Sequence, residues 1–482
     1  MKLSRWVWGL AAVLLSISVT ETTSLAASPA GRCARHASQP ALPPAAFEDG
    51  PLISQADLVA DFDGWMSGMR ALNPDLSIRA DLPTLDRQAA RIRATLTGPM
   101  SRREAWEHFA ELNPYLRDAH AGIQMPDYRE ALQAHLKAGG HVVPVEVRFA
   151  PDGSLRVFSA APGLAKVKPG DHLLSINGHS LDQMLPAMMA RSIGETPASQ
   201  RAWVARRFAM LYFNLYGDTG QYDVVVQPER SSCNVAARAM GATILPQAQQ
   251  PEPSAEEMFD WRILRGNMGY LRVDGFDGDK KDALAKVSQT AFAAFKARHV
   301  HALIIDVREN GGGDDPLWQQ ELVDHFTTQP YVQLSHFVQR ITKKNADPGD
   351  VVGTIKSEDY DKRFTPPPVD PVRFNGPVYI LAGPTSYSAT IQFLVTAQDF
   401  GLAKIAGEET AALSCQTGQV THIDMPKTGL SATTPLIAYT RPSGHGCTRG
   451  VMPDVPILID EVKPDETLNA LVNWVGAHRQ GY

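Results

Sequence analysis

The chain has 482 residues, of which 44% are apolar, 20% charged and 8% aromatic, with a formal net charge of -6. That length exceeds one ordinary hydrophobic core and implies two or three domains, and the interspersed, slightly acidic charge leaves no basic face for nucleic acid. No P-loop, HExxH, CxxC or GxGxxG pattern occurs, so no cofactor is expected.

Lys2 and Arg5 precede the apolar run WVWGLAAVLLSISV, and the small residues of SLAASPA follow it. A charged start, a short apolar core and a small-residue exit mark residues 1–26 as a secretory signal, with cleavage expected after Ala26 or Ala27. The apolar run is shorter than the ~20 residues a membrane span requires, and no other span is present. The protein is therefore expected to be exported, to a periplasm or the extracellular space. In that oxidising setting the four cysteines imply two disulfides, and pairing by region gives Cys33–Cys233 and Cys415–Cys447.

Residues 27–137 begin with the linker-like PALPPAAFEDGP and continue as a helical domain. Leu58, Phe62, Trp65, Met66 and Met69 recur near a 3.6-residue period, and Ser101 with Glu104 forms a capping-box pattern ahead of a second apolar run. The domain closes in the loop RDAHAG. Residues 138–240 alternate apolar and polar around an Asp-Gly turn, a hairpin signal. Gly163-Leu164, Gly170-Asp171 and Ile176-Asn177-Gly178 then stand in an order that resembles a PDZ domain. That resemblance implies an inserted β domain that binds an extended peptide, with Gly163 and Leu164 in its carboxylate-facing loop.

Residues 241–482 alternate strand-like and helix-like segments: MGYLRV, HALIIDV, PVYILA and LAKIAG against DALAKVSQTAFAAFKAR, DPLWQQELVDHF and SATIQFLVTAQDF. That order predicts βαβ units and parallel pairing. A turn-rich insertion, ITKKNADPGDVVGTIKSEDYDKRFTPPPVDPVRF, interrupts them and has the length of a functional lid or an unstructured loop. His299 and His301 could face one side of a strand, but no third ligand accompanies them and no metal site is expected.

Two features carry chemistry. Asn310-Gly311-Gly312-Gly313 follows a buried strand, where backbone N–H groups can approach a ligand closely. Asp314 and Asp315 would repel phosphate, so an oxyanion hole is the better reading. Ser388 stands at the mouth of a helix, whose unpaired N–H groups and dipole favour negative charge nearby.

The segments YLRV, LIIDVRENGGG, PTSYSAT, AQDFG, IAGEET and GVMPDV, in this order, resemble peptidase family S41, the tail-specific and tricorn-like serine peptidases. The resemblance runs from Asn267 to Ile459 and takes in LRDAHAGI upstream. It implies a multidomain α/β protein, with a crotonase- or ClpP-like S41 core, an N-terminal helical domain and the inserted PDZ-like module. It further implies an endopeptidase that cleaves protein or peptide substrates through an acyl-enzyme. Ser388 matches the nucleophile, and Gly311, Gly312 and the N–H of Ala389 match the oxyanion hole. The lysine that serves tail-specific proteases as base is missing: its place reads Gly407-Glu408-Glu409-Thr410-Ala411-Ala412-Leu413, and Lys404 sits at an apolar family position. Tricorn-like members use a histidine, matched here by His120 beside Asp118. His445 is a second candidate base and Glu408 a candidate third group. Loss of the lysine also keeps open an inactive binding protein for peptides or small apolar ligands, as in the photoreceptor retinoid-binding proteins that share this core.

Overall fold

The computed structural model describes residues 50–124, 128–244 and 253–478; the signal-like start and Cys33 lie outside them. The central sheet follows from runs too apolar to face water on either side. Leu303–Asp306 and Val378–Ala382 are buried at every position. Such strands need cover on both faces, which parallel pairing with helical crossovers supplies. The strand order is Val455–Pro456, Lys404–Gly407, Val378–Ala382, Leu303–Asp306, Met268–Val273, Phe259–Leu264. All neighbours are parallel except the last two, which form a hairpin.

Helices Lys281–Ala297, Asp315–Glu321 and Ala389–Asp399 cover one face and bury Phe292, Phe295, Trp318 and Phe393. The C-terminal helix Pro464–Ala477 covers the other, with Leu468, Leu471, Val472 and Val475 packed beside Tyr270, Ile304 and Tyr379. Helix Ala389–Asp399 is buried from Ala389 through Ala397, as expected of a helix at the centre of a core. Truncating a side chain there, such as Phe393, would cost about 3–5 kcal/mol.

The N-terminal helices Gln55–Leu72, Leu82–Thr95 and Arg102–Phe109 form where the periodicity predicts, and Ser101 and Glu104 complete their capping box. They share one core with an antiparallel sheet, Val145–Phe149, Leu155–Ala160, His172–Ile176, Gln221–Gln227 and Val235–Met240: Phe62, Trp65, Phe109, Val147, Val157 and Tyr222 belong to the same cluster. Between the short strand His179–Ser180 and Gln221–Gln227 the chain inserts three helices, Leu181–Met189, Pro197–Arg206 and Phe208–Tyr216.

A third sheet runs in the order Gly122–Gln124, Leu430–Thr440, His336–Arg340, Ile355–Asp359, with Thr417–Met425 hairpinned onto Leu430–Thr440. The turn-rich insertion read as a lid or loop thus supplies Ile355–Asp359, an edge strand on His336–Arg340. Backbone pairing gives this mostly exposed strand its place, which its weak apolar content did not reveal. Cys415 and Cys447 are bonded, with Cα atoms 4.8 Å apart. Cys233 is also disulfide-bonded, and Cys33, the partner expected from sequence, lies outside the described residues. Among the described residues no helix is long and apolar enough to cross a membrane.

Candidate active site

Ser388 is the N-cap of helix Ala389–Asp399, yet its side chain makes no capping bond. Its backbone sits at φ 55° and ψ -122°, outside the regions an L-residue occupies freely, at a cost of about 1–3 kcal/mol. The surroundings enforce that conformation. Ser386 Oγ donates to Val307 O (2.8 Å) and accepts from the Gly383 N–H (3.1 Å). The Tyr387 N–H donates to Asn310 O (3.1 Å), and Thr390 Oγ1 donates to Asn310 Oδ1 (2.6 Å). Asn310 is fully buried and anchored through its Nδ2 to Val273 O (3.0 Å). One buried amide therefore ties the glycine loop to the serine turn.

His120 reaches this turn from the segment between helix Asn113–Leu116 and strand Gly122–Gln124. Asn113 brackets the strand, accepting from the Ile123 N–H (2.8 Å) and donating to Ile123 O (3.3 Å). Gly122 has φ 155°, and a Cβ there would lie 2.5 Å from Ile193 Cγ2, so only glycine fits. Pairing of Gly122 with Thr433 draws the segment onto the third sheet. The result is a contact of 3.0 Å between His120 Nε2 and Ser388 Oγ.

The other ring nitrogen, Nδ1, is 2.9 Å from Thr417 Oγ1 and 2.9 Å from the Tyr387 hydroxyl. Thr417 Oγ1 donates to Asp118 Oδ1 (3.0 Å), which also accepts the backbone N–H of His120 (2.8 Å). Asp118 is itself 3.7 Å from Nδ1, too far for a direct hydrogen bond, so its charge reaches the ring mainly through the threonine. Burial lowers the His120 pKa below its ordinary 6.5; Asp118 opposes this and Arg79 reinforces it. The imidazole is neutral at pH 7 and able to accept a proton.

The glycine loop lies against the serine. Gly312 has φ 104°, and a Cβ there would stand 2.7 Å from Ser388 Cβ and 2.8 Å from Tyr387 O. Its N–H donates to Asn310 Oδ1 (2.9 Å), so Gly312 acts through its missing side chain rather than as a donor. Gly311 faces open space. Ala389 is the first helical residue, whose N–H has no intrahelical partner.

The other candidates from sequence fall elsewhere. His445 is exposed, with Nδ1 2.7 Å from Ser443 O. Glu408 accepts from the Ile459 N–H (3.3 Å), and Lys404 lies in the sheet opposite Tyr379. Gly163 and Leu164 form the turn Pro162–Leu164, where Leu164 is buried and donates its N–H to Ala161 O (2.9 Å). Reading the sequence did not find Thr417 or Tyr387. Tyr387 sits inside the serine motif, but nothing in its spacing signals a partner at His120.

A cavity of about 630 Å³ opens beside Glu309 and Pro384, lined by neither Ser388 nor His120. Its charges are largely paired within it, Arg308 with Asp306, Arg272 with Asp274 and Arg206 with Glu309.

A serine on a strained strand-to-helix turn, a neutral histidine on its hydroxyl and a glycine loop against it are the parts of a serine-type peptidase. Residues 267–457 match the model of peptidase family S41. In fold the chain is similar to mature CPAF (TM-score 0.63, 15% identity, 89% of this chain and 99% of that one) and to mature CPAF complexed with lactacystin (0.62, 15%, 88% and 97%). The photosystem II D1 C-terminal processing protease is also similar (0.46, 17%, 87% and 97%).

Proposed function

We propose that the chain is an exported endopeptidase whose Ser388 forms an acyl-enzyme with a peptide carbonyl while His120 takes its proton. The observation that carries this reading is the 3.0 Å contact of His120 Nε2 with Ser388 Oγ. Attack by the hydroxyl oxygen makes a tetrahedral oxyanion, which the N–H groups of Gly311 and Ala389 receive. The imidazolium then gives its proton to the leaving amine, and a water deprotonated by His120 releases the acyl group. Each oxyanion donor is worth about 3–4 kcal/mol of barrier. Asp118, through Thr417, favours the proton on Nδ1 and leaves Nε2 free to accept. The signal-like start and the Cys415–Cys447 bond support export. The sheet within residues 138–240 is proposed to hold an extended substrate chain in the manner of a PDZ domain.

The test is labelling by a serine-directed phosphonate, with lactacystin as a second probe. Wild type should be labelled and should hydrolyse unfolded polypeptide; Ser388→Ala should do neither while keeping its fold. A folded Ser388→Ala protein with unchanged hydrolysis would sink the mechanism and favour the binding-protein alternative.

A further inference from the structure

The third sheet has two ends, and they are finished differently. At one, Gly122–Gln124 turns its outer edge to Asn113, whose side chain takes both the N–H and the C=O of Ile123. At the other, Ile355–Asp359 pairs with His336–Arg340 and, among the described residues, with no strand on its far side. The register decides which backbone groups are left over. Ile341 N–H donates to Thr354 O (2.9 Å) and Tyr360 N–H donates to Ser335 O (2.8 Å). Lys356 and Glu358 are in phase with Thr354 and Tyr360, so their N–H and C=O groups face His336–Arg340, and those of Ile355, Ser357 and Asp359 point outward. Ser357 Oγ lies 3.0 Å from His336 Nε2 and Asp359 Oδ1 2.9 Å from its Nδ1, bonds that use none of the outward backbone groups. Val351, Val352 and Ile355 stand at the head of the strand, 65%, 52% and 41% exposed. A free edge beside exposed apolar side chains is a template for another chain.

We propose that this edge is an interface between two copies of the chain. The two Ile355–Asp359 strands pair antiparallel about a two-fold axis at Ser357 and join the third sheets of both protomers into one. The order of charges along the strand selects this occupant. Pairing about Ser357 sets Ile355 opposite Asp359 of the second copy and Lys356 opposite its Glu358. The outward residues are then the ones that exchange N–H···O=C bonds. Lys356 and Glu358 fall at the non-hydrogen-bonded positions, where Cα atoms are ~4.5 Å apart and facing side chains are closest. The symmetry makes this unlike pair twice. Lys356 already lies 3.8 Å from Glu358 and 3.5 Å from Asp350 of its own chain, so its charge stands on the face where the second Glu358 arrives. Charges on an edge strand ordinarily keep a second copy away; here their order is complementary to it.

The place of the edge in the fold sets the character of the dimer. A strand of 5 residues from each copy, with Val351 and Val352 at its margin, falls short of the ~800 Å² per partner of a standard interface, so association is weak and concentration-dependent. The edge also lies at the opposite end of its sheet from Gly122–Gln124, the strand that follows His120. Each copy therefore keeps its own active site, and the dimer does not depend on Ser388 being the nucleophile. A substrate strand has no fixed order of charges to match Lys356 and Glu358, whereas a second copy always does.

The test uses the full chain. Sedimentation velocity at rising concentration should move from monomer to dimer, less so at high salt. Amide exchange of Ile355, Ser357 and Asp359 should slow as the dimer forms, while Lys356 and Glu358, bonded in the monomer, change little. Lys356→Glu and Glu358→Lys each set like charges against one another in both pairs and should weaken the dimer on the order of 10-fold. Mixed together, the two variants should form a heterodimer, because each meets the opposite charge of the other at both positions. Damage to the fold of either variant cannot produce that rescue. Ser357→Pro removes an outward N–H that His336–Arg340 does not use and should give a folded monomer. A chain that stays monomeric up to ~1 mM, a dimer indifferent to all three substitutions, or a mixture without heterodimer would each overturn the proposal. Slowed exchange of the same amides in the monomer on adding unfolded polypeptide would assign the edge to substrate and overturn it as well. Should the charge variants misfold, Ser357→Pro and the exchange measurement decide.

Discussion

His120 Nε2 and Ser388 Oγ are 3.0 Å apart although 268 residues separate them in the chain. The first sits ahead of a three-residue strand, the second on a strained turn, and neither position has a chemical role until the third sheet closes between them. Four expectations follow from this pair and its supports.

His120→Ala should lower kcat/KM by several orders of magnitude, with only residual catalysis left to the oxyanion donors. The pH profile should carry the sign of a buried imidazole. Burial disfavours the imidazolium, so full loss of activity on acidification should come below the ordinary histidine value of 6.5. Stopped-flow hydrolysis from pH 5 to 9 would show this limb; a limb set only by a group outside this range would mean another base. His445→Ala should be near wild type.

Thr417→Val keeps volume and removes the hydroxyl that links Asp118 to the ring. A loss of about 10–100-fold in kcat is expected, because Asp118 remains 3.7 Å from Nδ1. Asp118→Asn should cost more, since it also weakens the acceptor for the His120 backbone N–H. Equal activity of Thr417→Val and wild type would remove the threonine from the chain of bonds.

Gly312→Ala places a methyl 2.7 Å from Ser388 Cβ in a backbone at φ 104°. The serine turn or the glycine loop must move, and a displacement of about 1 Å at the nucleophile costs on the order of 10²-fold in rate. Gly311→Ala has open space and should be milder. The ratio of the two kcat values, with thermal unfolding as control, measures this difference.

Removing the Cys415–Cys447 bond frees a loop closed over a separation of 32 residues, worth about 3–4 kcal/mol in the chain-entropy model. Cys415 also lies beside the hairpin that starts at Thr417, and Arg79 donates to its carbonyl. The Cys415→Ala/Cys447→Ala protein should unfold at lower denaturant and lose kcat as Thr417 shifts. Unchanged stability and activity would show that the bond supports neither.

Local signals in the sequence sufficed for much of the scaffold. The strands Leu303–Asp306 and Val378–Ala382 are apolar runs bounded by turn residues, the capping box at Ser101 is a four-residue pattern, and Ser388 stands where a strand gives way to a helix. Each depends on neighbours within one turn or one strand, so a single stretch of chain contains the physics. The machinery around the serine does not have that property. The resemblance put His120 ahead of His445, but its contact with Ser388 depends on the pairing of Gly122 with Thr433. The links from His120 to Thr417 and Tyr387 required separate segments to converge on one ring. Nothing local distinguishes a threonine at a strand end from any other. Hydrogen-bond direction and desolvation are properties of what surrounds a group, and those surroundings exist only once the sheets have packed.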